Sequence, residues 1–251
     1  MAPKPARAAT TVKNQQRDLK AATAEAVAAL RKLASKKVRN GMARYGLPND
    51  KAFGVSVGEI QRLAKQIGKN HELALALWET GHYEARLLAA YVDEPERVTP
   101  AQMDRWRGDF DNWGSVDTVC FVLFDRSPHA WGMVKKWAAR KDEFGKRAAF
   151  ALLACLGAHD KNATDEDFAQ HLPLIEAAAT DERNFVKKGV SWALRVIGRR
   201  SLKLNAAAMK VAERLAQSAS SSAKWIGKEA IREFNSAVVK RQLAARDSGK
   251  L

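Results

Sequence analysis

The sequence predicts an all-α protein, a right-handed α-solenoid of stacked two-helix units of roughly 40 residues, with a concave basic groove. Three observations carry that reading. Apolar residues recur at three- and four-residue spacing along most of the chain, no segment alternates with period two, and 43 Lys and Arg face 28 Asp and Glu. The first periodic segment is 19–33, followed by a break at 46–50. Ser56 with Glu59 three residues on is a capping-box pattern that opens 60–67, and a break at 68–69 leads into 73–78. A break at 80–82 precedes 87–92, and the loop 93–98 ends at Thr99, Pro100 and Gln102, an N-cap, a first-turn proline and a box partner. After 109–112 come 116–124, a stop at Ser127 and Pro128, and the alanine-rich 148–156. Breaks at 157–165, 198–205 and 217–222 separate 186–197, 211–215 and 226–234. Short helices joined by short loops stack antiparallel.

The 251 residues are expected to form one helical-repeat domain over 17–243, between a disordered basic tail at 1–16 and a C-terminal tail at 244–251. With 46% hydrophobic and 28% charged residues, the composition is that of a folded chain. The formal net charge of +15 favours a polyanionic partner, because a basic face concentrates polyanions and speeds their encounter. Nucleic acid comes first and a membrane surface second. No stretch approaches the roughly 20 apolar residues of a membrane span, which demotes the second. The start of the chain carries Lys4, Arg7 and Lys13 with no hydrophobic segment behind them, so no signal peptide is expected. Two cysteines in apolar surroundings, Cys120 and Cys155, point to a reducing, cytoplasmic setting without disulfides. His71 and Glu72 lack the second histidine of a zinc-protease helix, and no metal-ligand spacing, phosphate loop, dinucleotide fingerprint or nucleophile elbow occurs. Neither metal nor cofactor is expected.

Seven tryptophans stand out, and two of them sit beside charged residues in short motifs. Trp113 precedes Asp117 by four residues, which places both on one helical face a turn apart. Lys146 and Arg147 open the apolar run that continues through Ala148 and Ala149. Trp192, followed by Ala193, Leu194 and Arg195, lies in a helix that begins near Asn184 and carries Lys187 and Lys188. Taken singly, each has a bland use: tryptophans pack between repeats, and Asp117 can cap a helix or pair with Arg147. Trp78, Trp106, Trp131 and Trp137 are assigned to packing. Trp225, beside Lys224 and Lys228, suits either an end cap or a phosphate contact.

Together, the Trp-x-Ser-Val-Asp pattern at Trp113 to Asp117, the Lys-Arg-Ala-Ala pattern at Arg147 and the Trp-x-Leu-Arg pattern at Trp192 resemble the DNA alkylation repair family, the AlkD-type alkylpurine DNA glycosylases built of HEAT-like repeats. The resemblance spans about 56–234. His82 to Arg86 is similar to the family's inner-helix segment before the catalytic repeat, and Gly114 departs from it where an acidic residue is frequent. The resemblance implies a monofunctional glycosylase of base excision repair, with Asp117 as the catalytic carboxylate and Trp113 and Trp192 contacting the lesion. Arg147, Lys146, Lys187, Lys188, Arg195 and Arg86 are implied to face the DNA backbone or the cleft. The implied partner is double-stranded DNA containing alkylated purines, met by a monomer. The chemistry is coherent, since an N3- or N7-alkylpurine is already a cationic leaving group, and one carboxylate can stabilise the oxocarbenium-like sugar or direct water. A non-catalytic HEAT-repeat protein that binds nucleic acid or serves as a scaffold is the alternative. The retained Asp117 argues against it.

Overall fold

The computed structural model describes residues 5–248, and among them every regular element is an α-helix or a short 3-10 turn. The chain divides into two compact units, Met1–Val98 and Thr99–Leu251, where one domain was expected over 17–243. The division falls at the loop that ends on Thr99 and Pro100. Proline restricts the residue before it to extended backbone, and Thr99 at ψ 158° caps the next helix by accepting from the Gln102 N–H at 3.2 Å.

The first unit holds α1 (Pro5–Lys32), α2 (Lys36–Met42), α3 (Val57–Ile67), α4 (His71–Glu79) and α5 (Tyr83–Val92). Helix α5 packs on α3 and α4, with Ile60, Leu77, Trp78, Leu87 and Leu88 fully buried. The expected capping box forms, as Ser56 and Glu59 exchange side-chain to backbone hydrogen bonds. Glu84, one residue into α5, is completely buried and accepts from the backbone N–H groups of Phe53, Gly54 and Val55 at 2.8, 2.7 and 3.1 Å. Three donors from one loop satisfy a charge that burial would otherwise penalise by several kcal/mol. Gly54 permits this turn, with φ at +84° and no room for a Cβ, which would lie 2.4 Å from the Ser35 carbonyl oxygen.

The second unit runs through α6 (Pro100–Gly108), α7 (Trp113–Val122), α8 (Ala130–Ala138), α9 (Glu143–His159), α10 (Asp165–Ala169), α11 (Leu172–Ala178), α12 (Asn184–Gly198), α13 (Leu202–Ala216), α14 (Ser221–Phe234) and α15 (Ala237–Asp247). Helix α9 is its centre. Every residue from Arg147 to Gly157 is buried, and α7, α8 and α12 pack around it. A helix apolar on all sides has no face left for water, and its alanines let neighbours approach closely. Trp106, Phe124 and Trp137 form a buried aromatic cluster with centroids 6.0 and 5.9 Å apart in succession, while Trp131 packs edge-on to Phe168 at 5.0 Å.

The repeat is absent as sequence identity but present as a contact register. Asp104 accepts from the Trp137 indole, Lys146 pairs with Asp181, Arg195 with Glu233 and Arg214 with Glu176, at separations of 33, 35, 38 and 38 residues. Each bond joins one layer to the next.

Helix ends differ from expectation in places. Helix α1 begins at Pro5, so most of the 1–16 span expected as a tail is helical, and residues 1–4 lie outside the described residues. Alanine is the strongest helix former, and a proline in the first turn forfeits no helical hydrogen bond. Helix α15 likewise extends to Asp247, into the expected 244–251 tail, of which 249–251 lie outside the described residues. Helix α9 continues past the break expected at Gly157, because Gly157 lies against Val196 of α12, where an added Cβ would meet Cγ1 at 2.7 Å.

Close approach makes a mutational prediction. A Cβ at Gly227 of α14 would lie 2.4 Å from backbone atoms of Ala212 and Ala216 on α13, which cannot rotate away. Gly227→Ala is expected to lower unfolding free energy by about 1–3 kcal/mol in urea titrations. Gly58→Ala, on an open face of α3, is expected to raise it by up to about 1 kcal/mol.

Candidate active site

The residues singled out by sequence are positioned by local chemistry that explains each motif. Helix α7 starts at Trp113 because Asn112 caps it, its Oδ1 accepting from the Ser115 N–H at 2.9 Å while its Nδ2 donates to Ser115 Oγ at 3.1 Å. Ser115 and Val116 are buried, so the middle of the motif serves the cap and the core. Trp113 and Asp117 are partly exposed on one face of α7, a turn apart, and Gly114 is buried off that face. Asp142 caps α9 by accepting from the Gly145 N–H at 2.9 Å, which sets Arg147 in the second turn.

Arg147 and Asp117 form a two-pronged ion pair. Arg147 Nε donates to Asp117 Oδ1 at 3.0 Å and Nη2 to Oδ2 at 2.7 Å, while Nη1 donates to the Phe185 carbonyl at the start of α12 at 2.8 Å. The arginine side chain is 7% exposed and the aspartate 23%, so the pair is enclosed on the arginine side and meets solvent through the carboxylate. Burial pushes the Asp117 carboxyl above the ordinary aspartate range, and the Arg147 guanidinium pulls it back down. An anion oriented in this way, out of bulk water, exerts a strong field on any nearby cation.

The remaining cations divide by what they touch. Lys146 pairs with Asp181 at 3.1 Å, and Asp181 is shared with Arg183, whose hydrogen bond holds that carboxyl well below its ordinary range. Arg195 bonds Glu233 at 2.6 Å and the Ser191 carbonyl of its own helix. Lys187 lies over the Trp225 ring at 5.3 Å, and Lys188 is exposed. Arg86 belongs to the first unit, with its guanidinium over Trp78 at 5.1 Å. Trp192, partly exposed on α12, lines a cavity that Phe121 of α7 also lines.

Sequence reasoning missed Phe121, though it continues the four-residue spacing of Trp113 and Asp117. It also missed Asp125, fully buried and paired with His159, whose carboxyl burial raises. Both follow the last matched residue of the motif. Among the described residues no group of three or more His, Cys, Asp or Glu could hold a metal ion. Cys120 and Cys155 are buried, which pushes both thiols well above their ordinary range and suits them to packing. No described helix is long and apolar enough to cross a membrane.

The profile of a family described as DNA alkylation repair enzyme matches residues 26–234, a span that includes all of these side chains. The chain belongs to that family. The chain is also similar to two uncharacterized proteins, Lin0241 of Listeria innocua serovar 6a and Lmo0209 of Listeria monocytogenes serovar 1/2a, at 25% and 23% identity over 97 residues. Those matches cover 37% of this chain and 43% of each relative, so the chain spans less than half the length of the curated relatives it matches. A solved structure described as "a new family of proteins related to the HEAT-like repeat DNA glycosylases with affinity for branched DNA structures" superposes with a TM-score of 0.67 at 23% identity, over 81% of this chain and 91% of that one. The fold of this family member is therefore the all-α HEAT-like repeat fold.

Because desolvation holds the folded-state pKa of Asp117 above its unfolded value, the group adds stability at acid pH that is lost as pH rises through the folded pKa. Arg147→Gln removes the charge that opposes desolvation. Carboxyl-detected NMR is expected to show Asp117 titrating at higher pH in that variant than in the parent.

Proposed function

We propose that this protein is a monofunctional DNA glycosylase that releases cationic N3- and N7-alkylpurines from duplex DNA, leaving an abasic site for base excision repair. The observation that carries the reading is Asp117, a carboxylate fixed by Arg147 at the solvent edge of an otherwise buried pair, in a chain of the DNA alkylation repair family. A cationic base needs no general acid, so the protein's task is to stabilise positive charge developing on the sugar. An anion about 4 Å away contributes roughly 4 kcal/mol at an effective dielectric near 20, about a thousandfold in rate. Asp117 supplies that anion and orients water. Trp113 and Trp192 offer indole faces to the lesion, each cation–π contact adding about 0.5–2 kcal/mol in favour of a charged base.

In this reading Arg147 is a positioning residue, because three of its donors are committed to Asp117 and Phe185. Lys187, Lys188 and Arg195 face the backbone from α12, with Arg86 doing so from the first unit. Lys146, tied to Asp181, steadies the start of α9 and is unsuited to Schiff-base chemistry. That agrees with a monofunctional enzyme. The protein acts as a cytoplasmic monomer without metal or cofactor.

A second reading, non-catalytic recognition of DNA, is favoured by the solved neighbour described as having affinity for branched DNA. One assay separates the two. Asp117→Asn is expected to abolish single-turnover release of 7-methylguanine while leaving duplex affinity within about twofold, since one neutralised carboxylate is a small part of the phosphate-dominated binding energy. No release by the parent protein selects the second reading, and unchanged release by the variant sinks the assigned role of Asp117.

A further inference from the structure

One turn beyond Asp117, α7 presents a feature that the excision chemistry leaves unused. Phe121 is 44% exposed, yet its ring packs against a neighbouring one. It meets His159 edge-on with centroids 4.4 Å apart, and His159 Nδ1 is paired with the buried Asp125. A platform seated on two such layers is preorganised.

Phe121 lines a cavity of about 820 Å³ together with Trp192 and four cations, Lys161, Arg199, Arg200 and Arg246. No carboxylate occurs among the described residues that line it. Arg200 is built into the wall, donating to the Gly157 and Ala163 carbonyls at 2.7 and 3.1 Å with its guanidinium 4.1 Å from the Phe168 centroid. Arg246 donates through one nitrogen, Nη1, to the carbonyls of Arg199 and Arg200, and among the described residues its other N–H groups have no hydrogen-bond acceptor. Lys161 gives one hydrogen bond, to the Ala158 carbonyl, and Arg199 shares Glu233 with Arg195 at 3.4 Å. Cations gathered around an open cavity repel one another, and a polyanionic occupant relieves that repulsion. Charge alone describes a phosphate site. Two partly exposed aromatic rings add the π-faces on which nucleobases stack, and the volume lies within the range of small-molecule sites.

We propose that this cavity is a subsite for an unpaired nucleotide of a DNA strand, its base against Phe121 and Trp192 and its flanking phosphates at Lys161, Arg199 and Arg246. The inference rests on the reading that the chain holds DNA against Asp117 and extends that reading along α7 and α12. Such a subsite makes the protein a reader of strand continuity as well as of base charge.

The test uses the full chain with three probes: a paired duplex, the same duplex carrying a short single-stranded branch, and free dAMP as competitor. The parent protein is expected to bind the branched probe more tightly than the paired one. Phe121→Ala is expected to weaken branched-probe binding about tenfold, as loss of one base–aromatic stack does. Arg246→Glu is expected to weaken it at least as much, and both variants are expected to retain paired-duplex affinity and 7-methylguanine release. Equal binding of both probes by the parent, or an unaltered preference in both variants, overturns the subsite and leaves excision standing. Competition by dAMP at the concentration of the branched probe replaces the strand with a free nucleotide, which also overturns it. Binding of neither DNA probe refutes the DNA reading itself, whereas loss of 7-methylguanine release alone bears only on Asp117.

Discussion

One arginine ties three helices of the second unit together. From the buried second turn of α9, Arg147 grips both carboxylate oxygens of Asp117 on α7 and the Phe185 carbonyl that opens α12. A guanidinium is planar and permanently charged, so its donors define the orientation of the carboxylate as well as its distance. Burying such a group is costly unless it is fully paired, and here pairing and helix docking are the same act. The carboxylate stands where it does because the layers on either side of α9 close on one side chain.

That arrangement also sets the electrostatic character of the site. A free aspartate on a chain of net charge +15 would be one screened anion among many cations. Held at the edge of a low-dielectric wall, Asp117 projects a local negative field from a molecule that is otherwise positive. In the proposed function the two signs serve two parts of one ligand, a polyanionic backbone and a cationic base. The cations carry no base specificity, and several are already engaged: Lys146, Arg195 and Arg199 each share a carboxylate. Net charge overstates the number of side chains available to phosphates.

Much of the fold was legible in the sequence because helical periodicity and capping are local. The Ser56 and Glu59 box and the Thr99 cap depend on residues within one turn. The helical starts and ends at the termini were less legible. Composition there suggests solvated tails, whereas alanine propensity carries α1 back to Pro5 and α15 on to Asp247. The break expected at Gly157 failed for a tertiary reason, since that glycine accommodates Val196 of another helix.

By itself the sequence determined the helical class, the caps, the positive charge and the pairing of Trp113 with Asp117 on one face, all consequences of spacing along a single element. The three matched motifs also singled out Arg147 and Trp192, with a shared role for them implied only by the family resemblance. Only the tertiary structure decided that Arg147 faces Asp117 and Phe185, that Glu84 holds the 53–55 loop, and that Phe121 and Trp192 line one cavity with Lys161 and Arg246. Those partners lie some 30 to 125 residues apart, and no local propensity encodes which turn of one helix will meet which turn of another. Packing around a buried, alanine-rich α9 settles that choice, because the register must both fill the core and pair Arg147, the buried charge that α9 carries.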